Sequence, residues 1–322
     1  MRILLLTLVC YVLVACGGTE PLKEIGEPYQ LTELPLLRAQ FTAHGETAVT
    51  LSQIDVTLWN IKNEQPIFSH LFSPENEEQF FVALAKNQQV LATAGKQTVT
   101  LFDVKKNQLS LAWKVYGTVE HAAISTLAVN SHGDKVVVGL TDGSISVTDV
   151  KSKTRLLYQP HLSEIQFLFF NQLENKLITA GVDGRLVVLS LDTGVIEQEY
   201  EFLSRITALH VEPRTGNVFA SDALGNEIIT HIDNIHKSKS LSYIERNQYF
   251  RQARFINQSL LVTSNSKNKL TVWNLENGKE VASGNIKALT ASSSTSDLVI
   301  SGSSILSLST DGIVQNWPIP SI

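Results

Sequence analysis

The sequence holds 322 residues, 43% hydrophobic and 18% charged, which is enough apolar material for a core without staples and excludes wholesale disorder. Its 31 acidic residues outnumber 26 basic ones, giving a net charge of −5 and a pI near 5.9. Phosphate-binding chains show a basic patch or a high pI, so nucleic acid is excluded as the main partner.

The N-terminus reads Met1, Arg2 and an apolar stretch over residues 3–15 interrupted by Thr7, the layout of a signal peptide. A spanning helix needs about 20 apolar residues, so this stretch is too short to serve as one. It closes on Leu13-Val14-Ala15-Cys16-Gly17, which resembles the bacterial lipobox. The resemblance implies a signal peptide over residues 1–15, cleavage before Cys16, a diacylglyceryl group on its thiol and acylation of the new N-terminus. Cys10 leaves with the leader, so Cys16 is the mature chain's only cysteine and no disulfide or cysteine-based metal site is expected. Loss of Arg2 in the same cut takes the charge from −5 to −6. Acyl chains contribute about 0.8 kcal/mol per buried methylene, and more than one makes a stable membrane anchor. Gly17 in place of Asp beside Cys16 implies sorting to the outer membrane, facing the periplasm, in a two-membrane host. Residues 16–28, with Gly, Thr, Glu, Pro and Lys, read as a lipidated tether.

From residue 29 to 322, short β-rich runs alternate with turn residues, so internal repeats come first. Aligned strand endings give seven units, placing Trp59, Phe102, Thr148, Leu189, His231, Trp273 and Trp317 at one repeat position. The separations are 43, 46, 41, 42, 42 and 44 residues, the period of a four-stranded propeller blade. The third unit reads His121, Ile124-x-x-Leu127, an apolar run over 136–139, the turn Asp142-Gly143 and a strand over 145–150. The fourth repeats it with His161, Ile165-x-x-Leu168, Asp183-Gly184 and a strand over 186–191. Alternation such as Ser144-Ile145-Ser146-Val147 gives every sheet two faces to cover, and radial packing covers both. The Asp-Gly pairs at Asp142, Asp183 and Asp311 predict hairpin turns with glycine at positive φ. Five residues follow Trp317, too few for another strand. Residues 29–33 are therefore expected to supply the outer strand of the last blade, closing the ring and covering an edge.

These units resemble the WD-repeat family over essentially the whole mature chain. The resemblance implies an all-β, seven-bladed β-propeller of four-stranded antiparallel blades spanning residues 29–322. In that family a His, a turn Asp, a Ser or Thr and a Trp form a hydrogen-bonded network within one blade. It implies structural roles for Trp59, His121, Asp142, His161, Asp183, Trp273, Asp311 and Trp317. Thr148 and Leu189 replace the Trp in the third and fourth blades, so the network is incomplete in every blade.

Eight histidines invite a metal, but only His231 and His236 lie close together, and no metal site or other cofactor is expected. The turn carboxylates occur once per blade, too far apart to work as a pair at about 5–10 Å. The Ser-rich stretch over 291–309 lacks a Gly-x-Ser-x-Gly elbow, and no phosphate-binding glycine loop is present. Residues 246–254 stand out, with Arg246, Tyr249, Arg251 and Arg254 on the connection from the fifth blade to the sixth. Arg and Tyr dominate interface hot spots, so the segment could offer a positive patch to an anionic partner. Alternatively Phe250 or Phe255 packs between blades while the arginines are merely solvated. The expected function is a monomeric, non-catalytic protein–protein interaction scaffold in the cell envelope, its partner unidentified. Two rivals stand beside it. One is a propeller hydrolase or lactonase with a metal in the channel, although inner strands such as Thr126-Leu127-Ala128-Val129 carry little of that chemistry. The other is an accessory lipoprotein of outer-membrane protein assembly, a family with eight blades rather than the seven counted here.

Overall fold

The computed structural model describes residues 20–243 and 248–321, which form strands, turns and loops. The leader, Cys16 and Arg246 lie outside the described residues. Blade one comprises Leu36–Phe41, Thr47–Ser52, Asp55–Asn60 and Gln65–Leu71, from the channel outward. Blade two follows with Phe81–Leu84, Val90–Ala94, Thr98–Asp103 and Gln108–Lys114. Blade three is Ile124–Val129, Lys135–Leu140, Ile145–Asp149 and Thr154–Tyr158, and blade four Ile165–Phe170, Lys176–Gly181, Arg185–Ser190 and Ile196–Glu201. Blade five holds Ile206–Val211, Asn217–Asp222, Glu227–His231 and Asn234–Lys239. Blade six holds Phe250–Phe255, Leu260–Asn265, Lys269–Asn274 and Glu280–Asn285.

Blade seven has Thr295–Ser301, Ser304–Ser309 and Ile313–Pro318, and its outermost strand is Tyr29–Gln30. Tyr29 lies antiparallel to Val314 and Gln30 to Ile313, so an N-terminal strand closes the seven-bladed ring as its repeat count requires.

The core follows from strand periodicity, since alternate residues face opposite sides of a sheet. In Lys135–Leu140, Val136, Val138 and Leu140 pack with Ala92 and Leu101 of blade two. Val137, between them in sequence, packs instead with Leu168 and Leu177 of blade four. The same division recurs around the ring and yields seven buried clusters among the described residues, one at each blade–blade interface. Each fully buried Val, Leu or Ile contributes about 1.5–3 kcal/mol, so no single blade needs to be stable alone. The turn chemistry is equally local: Gly143 sits at φ 84°, and a Cβ there would lie 2.3 Å from the His161 carbonyl oxygen.

The stretch read as a tether is docked from Glu20 onward. Glu20–Pro21 pairs in parallel with Ala282 and Ser283 of blade six's outer strand. The Leu22 amide donates to the Ser283 carbonyl at 2.7 Å, and Ile25 donates to Asn316 of blade seven at 2.7 Å. Gln315 Nε2 donates to Glu24 Oε2 at 2.6 Å. Leu22, 8% exposed, joins the cluster between blades six and seven beside Trp317. A single apolar residue and two open strand edges hold this segment, although its composition is that of a linker.

Candidate functional site

The repeat positions organise the blades before any site is built. The fourth residue of the second strand is Thr50, Thr263 or Ser307 in blades one, six and seven. These hydroxyls accept the indole N–H of Trp59 at 2.8 Å, Trp273 at 2.8 Å and Trp317 at 3.0 Å. In blade four the same position is Thr179, whose hydroxyl meets His161 Nε2 at 2.8 Å. His161 Nδ1 donates to Asp183, 3.1 Å from either oxygen. Burial alone would raise the Asp183 carboxyl, but the His161 bond and the Leu162 and Arg185 amides outweigh it and hold it below its ordinary value. Blades one, six and seven thus keep the Trp half of the network and blade four the His half.

His121 departs from its expected role. It is exposed, and Asp142 instead accepts from the Thr118 amide and hydroxyl, both at 2.8 Å, and from the Ser144 hydroxyl at 2.6 Å. The reason lies at the shared hydroxyl position, which in blade three is Val138, 2% exposed. An imidazole buried there would leave one nitrogen without a partner. Burial opposes ionisation of Asp142, yet the Ser144 and Thr118 bonds hold it down at about 2. Asp311 makes the comparable turn contacts, accepting Leu289 N at 2.8 Å and Thr290 N at 3.3 Å.

The inner strands carry a second repeated device. In blades one and three to seven the first pairing skips a residue, leaving a β-bulge at Leu37, Ser125, Gln166, Thr207, Arg251 and Ser296. A bulge re-aims the extra side chain, and all six of these residues line one cavity of about 530 Å³ at the end of the channel where the inner strands begin. Ser125 Oγ donates to the Ile165 carbonyl at 2.7 Å, and Gln252 Nε2 to the Ser296 carbonyl at 2.8 Å. Ser296 Oγ lies 3.0 Å from the Ala39 amide and 2.8 Å from its carbonyl, so bulge residues also bind neighbouring blades together.

Charge in this mouth is one-sided. Arg38, Arg205 and Arg251 line it against the single carboxylate of Glu164. Among the described residues none of the three arginines has a carboxylate within ion-pair distance. Arg205 Nη2 donates to Tyr249 Oη at 3.2 Å, the Arg251 guanidinium lies 5.3 Å from the Tyr249 ring centroid, and Arg38 lies 5.3 Å from that of Phe81. Arg38 is water-accessible but recessed, and desolvation there lowers it from its ordinary value. Tyr249 itself has φ 34°, a conformation that costs a non-glycine residue about 1–3 kcal/mol and tends to occur at functional sites.

Arg254 belongs elsewhere, which corrects its expected place in a partner patch. It lies at the far end of the same strand, lining a second cavity of about 630 Å³. Its Nη2 donates to Asp297 Oδ1, and its Nη1 donates to the Ala253 carbonyl at 2.7 Å and to His210 Nδ1 at 3.2 Å. Asp297 also accepts the Phe41 amide and the Leu298 amide, each at 2.8 Å. The contacts run from blade five through six and seven to blade one. Burial, with the Arg254 charge, holds His210 well below its ordinary value, and burial pushes Asp297 up against the opposing pull of Arg254 and the two amides. Phe250 and Phe255, 1% and 6% exposed, pack between blades five and six, as one reading of this segment required.

Among the described residues no three His, Cys, Asp or Glu side chains converge to hold a metal. The mouth combines guanidinium, hydroxyl and amide groups, a set suited to holding an anion.

No family model matches the chain. It is 25% identical over 132 residues to the Retinoblastoma-binding protein 5 homolog of Drosophila melanogaster, covering 41% of this chain and 24% of that protein. It is 32% identical over 83 residues to the WD repeat-containing protein 91 homolog of Dictyostelium discoideum, covering 25% and 11%. It is 26% identical over 142 residues to WD repeat-containing protein 91 of Pongo abelii, covering 40% and 20%. The aligned regions thus span at most 24% of the length of these relatives. Together with the seven-bladed ring, these matches make the chain a WD-repeat-like propeller.

Proposed function

We propose that this WD-repeat-like propeller is a non-catalytic protein–protein interaction scaffold, held by a lipid on Cys16 to a membrane of the bacterial cell envelope. The observation that carries the scaffold reading is the channel mouth. Six blades turn a bulge residue into it, and its three arginines have no carboxylate partner among the described residues, so it presents unused binding groups on a rigid ring. The lipobox over residues 13–17 supports the anchor. Cys16 lies four steps along the chain from docked Glu20, a reach of at most about 14 Å at 3.3–3.6 Å per residue. On this reading the lipid keeps the outer edges of blades six and seven within about that reach of the bilayer. In a two-membrane host, Gly17 beside the lipidated residue directs the protein to the outer membrane, facing the periplasm.

Two measurements in the native host test the reading. Labelled palmitate should enter the wild-type chain and not Cys16→Ser; equal labelling removes the anchor. Photo-cross-linkers spread over the propeller should trap the same envelope protein reproducibly, and a lack of adducts at every position overturns the scaffold.

A further inference from the structure

We infer that the channel mouth docks an acidic segment of a partner protein, with Arg205 and Arg251 as the charged contacts, Tyr249 as the platform between them and Arg38 recessed beside Phe81. The inference rests on the scaffold reading and names the chemistry of its partner. On a chain of net charge −5, three arginines gathered from blades one, five and six are a local reversal of sign. All three guanidinium-bearing side chains are exposed, and among the described residues they hold only a carbonyl, a phenol and aromatic rings. A planar guanidinium matches a carboxylate by two parallel hydrogen bonds, so each still has its preferred partner to find.

Tyr249 strengthens the case independently of charge. It is held at φ 34° directly before the inner strand of blade six, with Arg205 on its hydroxyl and Arg251 over its ring. That arrangement fixes two otherwise flexible guanidinium groups before a ligand arrives, which lowers the ordering cost of binding. The mouth's shape selects a segment over a free small anion. At about 530 Å³ it is the size of a ligand pocket, but its arginines remain exposed, whereas small-ligand sites bury most of their ligand. A peptide that stays attached to a partner outside the mouth has no such requirement.

The test uses the purified propeller and two fluorescein-labelled dodecapeptides. One alternates Asp, Glu, Gly and Ser; the other carries Asn and Gln in place of the acids. Fluorescence anisotropy should show at least tenfold tighter binding of the acidic peptide, weakening as salt rises. Arg205→Glu/Arg251→Glu should abolish that preference with unchanged circular dichroism, and Arg251→Lys should retain part of it. Equal binding of both peptides, or a preference that survives the double reversal, overturns the inference. Displacement by citrate at concentrations matching the peptide would also overturn it, in favour of a small-anion site. If the cell cross-links recover a partner only through the outer blade edges while the acidic peptide fails to bind, this inference falls and the scaffold stands.

Discussion

Replacing Asp297 by alanine removes the carboxylate that joins three inner strands. Arg254 loses its charged partner, and the Phe41 and Leu298 amides lose acceptors at 2.8 Å. Breaking a buried ion pair by deleting one partner costs about 3–5 kcal/mol. The Arg254 side chain is 21% exposed and keeps the Ala253 carbonyl at 2.7 Å, so the lower end, about 3 kcal/mol, applies. At an unfolding entropy of about 2.1 cal/mol/K per residue over about 300 folded residues, that corresponds to a fall of about 5 °C in Tm. Arg254→Met should cost about 2 kcal/mol, less because the orphaned carboxyl can take up a proton. The double variant Arg254→Met/Asp297→Ala should be more stable than the two losses added together, because neither charge is then left without its partner. Urea denaturation followed by tryptophan fluorescence measures all three, and the cycle should return a coupling of about 1–2 kcal/mol. If Arg254 were a solvated partner contact, its substitution would stay within about 0.5 kcal/mol and the coupling would vanish, which would refute the clasp.

His161→Ala should cost about 2–4 kcal/mol, from a buried cavity and the unpaired Asp183 and Thr179, whereas His121→Ala should stay within about 0.5 kcal/mol; equal effects in urea denaturation contradict the assignment. His210 is held neutral in the fold, so below its unfolded value of about 6.5 only the unfolded chain takes up that proton. Stability should therefore fall by up to about 1.4 kcal/mol per pH unit on acidification from pH 6.5, and His210→Gln should flatten that slope. Asp142 acts in a separate window: its folded value of about 2 lies below the unfolded one, so its contribution is present above about pH 4 and is lost toward pH 2. Leu22→Asp should free residues 20–25 from blades six and seven, making Lys23 sensitive to trypsin while the ring stays folded; unchanged digestion would show that Leu22 does not hold the segment.

The ring was legible because each blade repeats a few local requirements. Asp142-Gly143 and Asp183-Gly184 mark turns that need positive φ, and the position of Trp59, Trp273 and Trp317 marks a strand where an indole reaches one hydroxyl. The mouth was legible only in part. Ile165 and Leu168 lie three apart yet join one buried cluster, as do Ile206 and Leu209, and Phe250 and Ala253. Odd spacing within a strand means a bulge, and it identifies the residue turned toward the channel. Arg38 and Arg205 carry no such signal, because blade one lies far from blades five and six in the chain and the three adjoin one cavity only once the ring has formed. Arg251 and Arg254 are near neighbours in sequence, which places them in one patch on sequence grounds. Three residues of strand separate them by about 10 Å along the channel, enough to put them in different cavities. Leu22 gives no periodic signal, because its segment of Gly, Pro and charged residues holds one other apolar residue, Ile25, which is exposed.

The two cavities are linked through the strands they share. Phe250–Phe255 of blade six carries Arg251 at its start and Arg254 near its end, and Leu36–Phe41 of blade one carries Arg38 at one end and the Asp297-bound amide of Phe41 at the other. Asp297 of blade seven stands between these strands at the join that an N-terminal strand must complete. Loop-closure entropy works against that join, because it brings together residues from opposite ends of the sequence. Buried hydrogen bonds at one end of the channel therefore fix the register of the strands that present arginines at the other. The bulge contacts from Ser296 to Ala39 and from Gln252 to Ser296 repeat the restraint at the mouth. The mouth's geometry thus depends on ring closure, and a substitution that loosened blade seven against blade one would displace Arg38 from Arg205 and Arg251 without touching any of them.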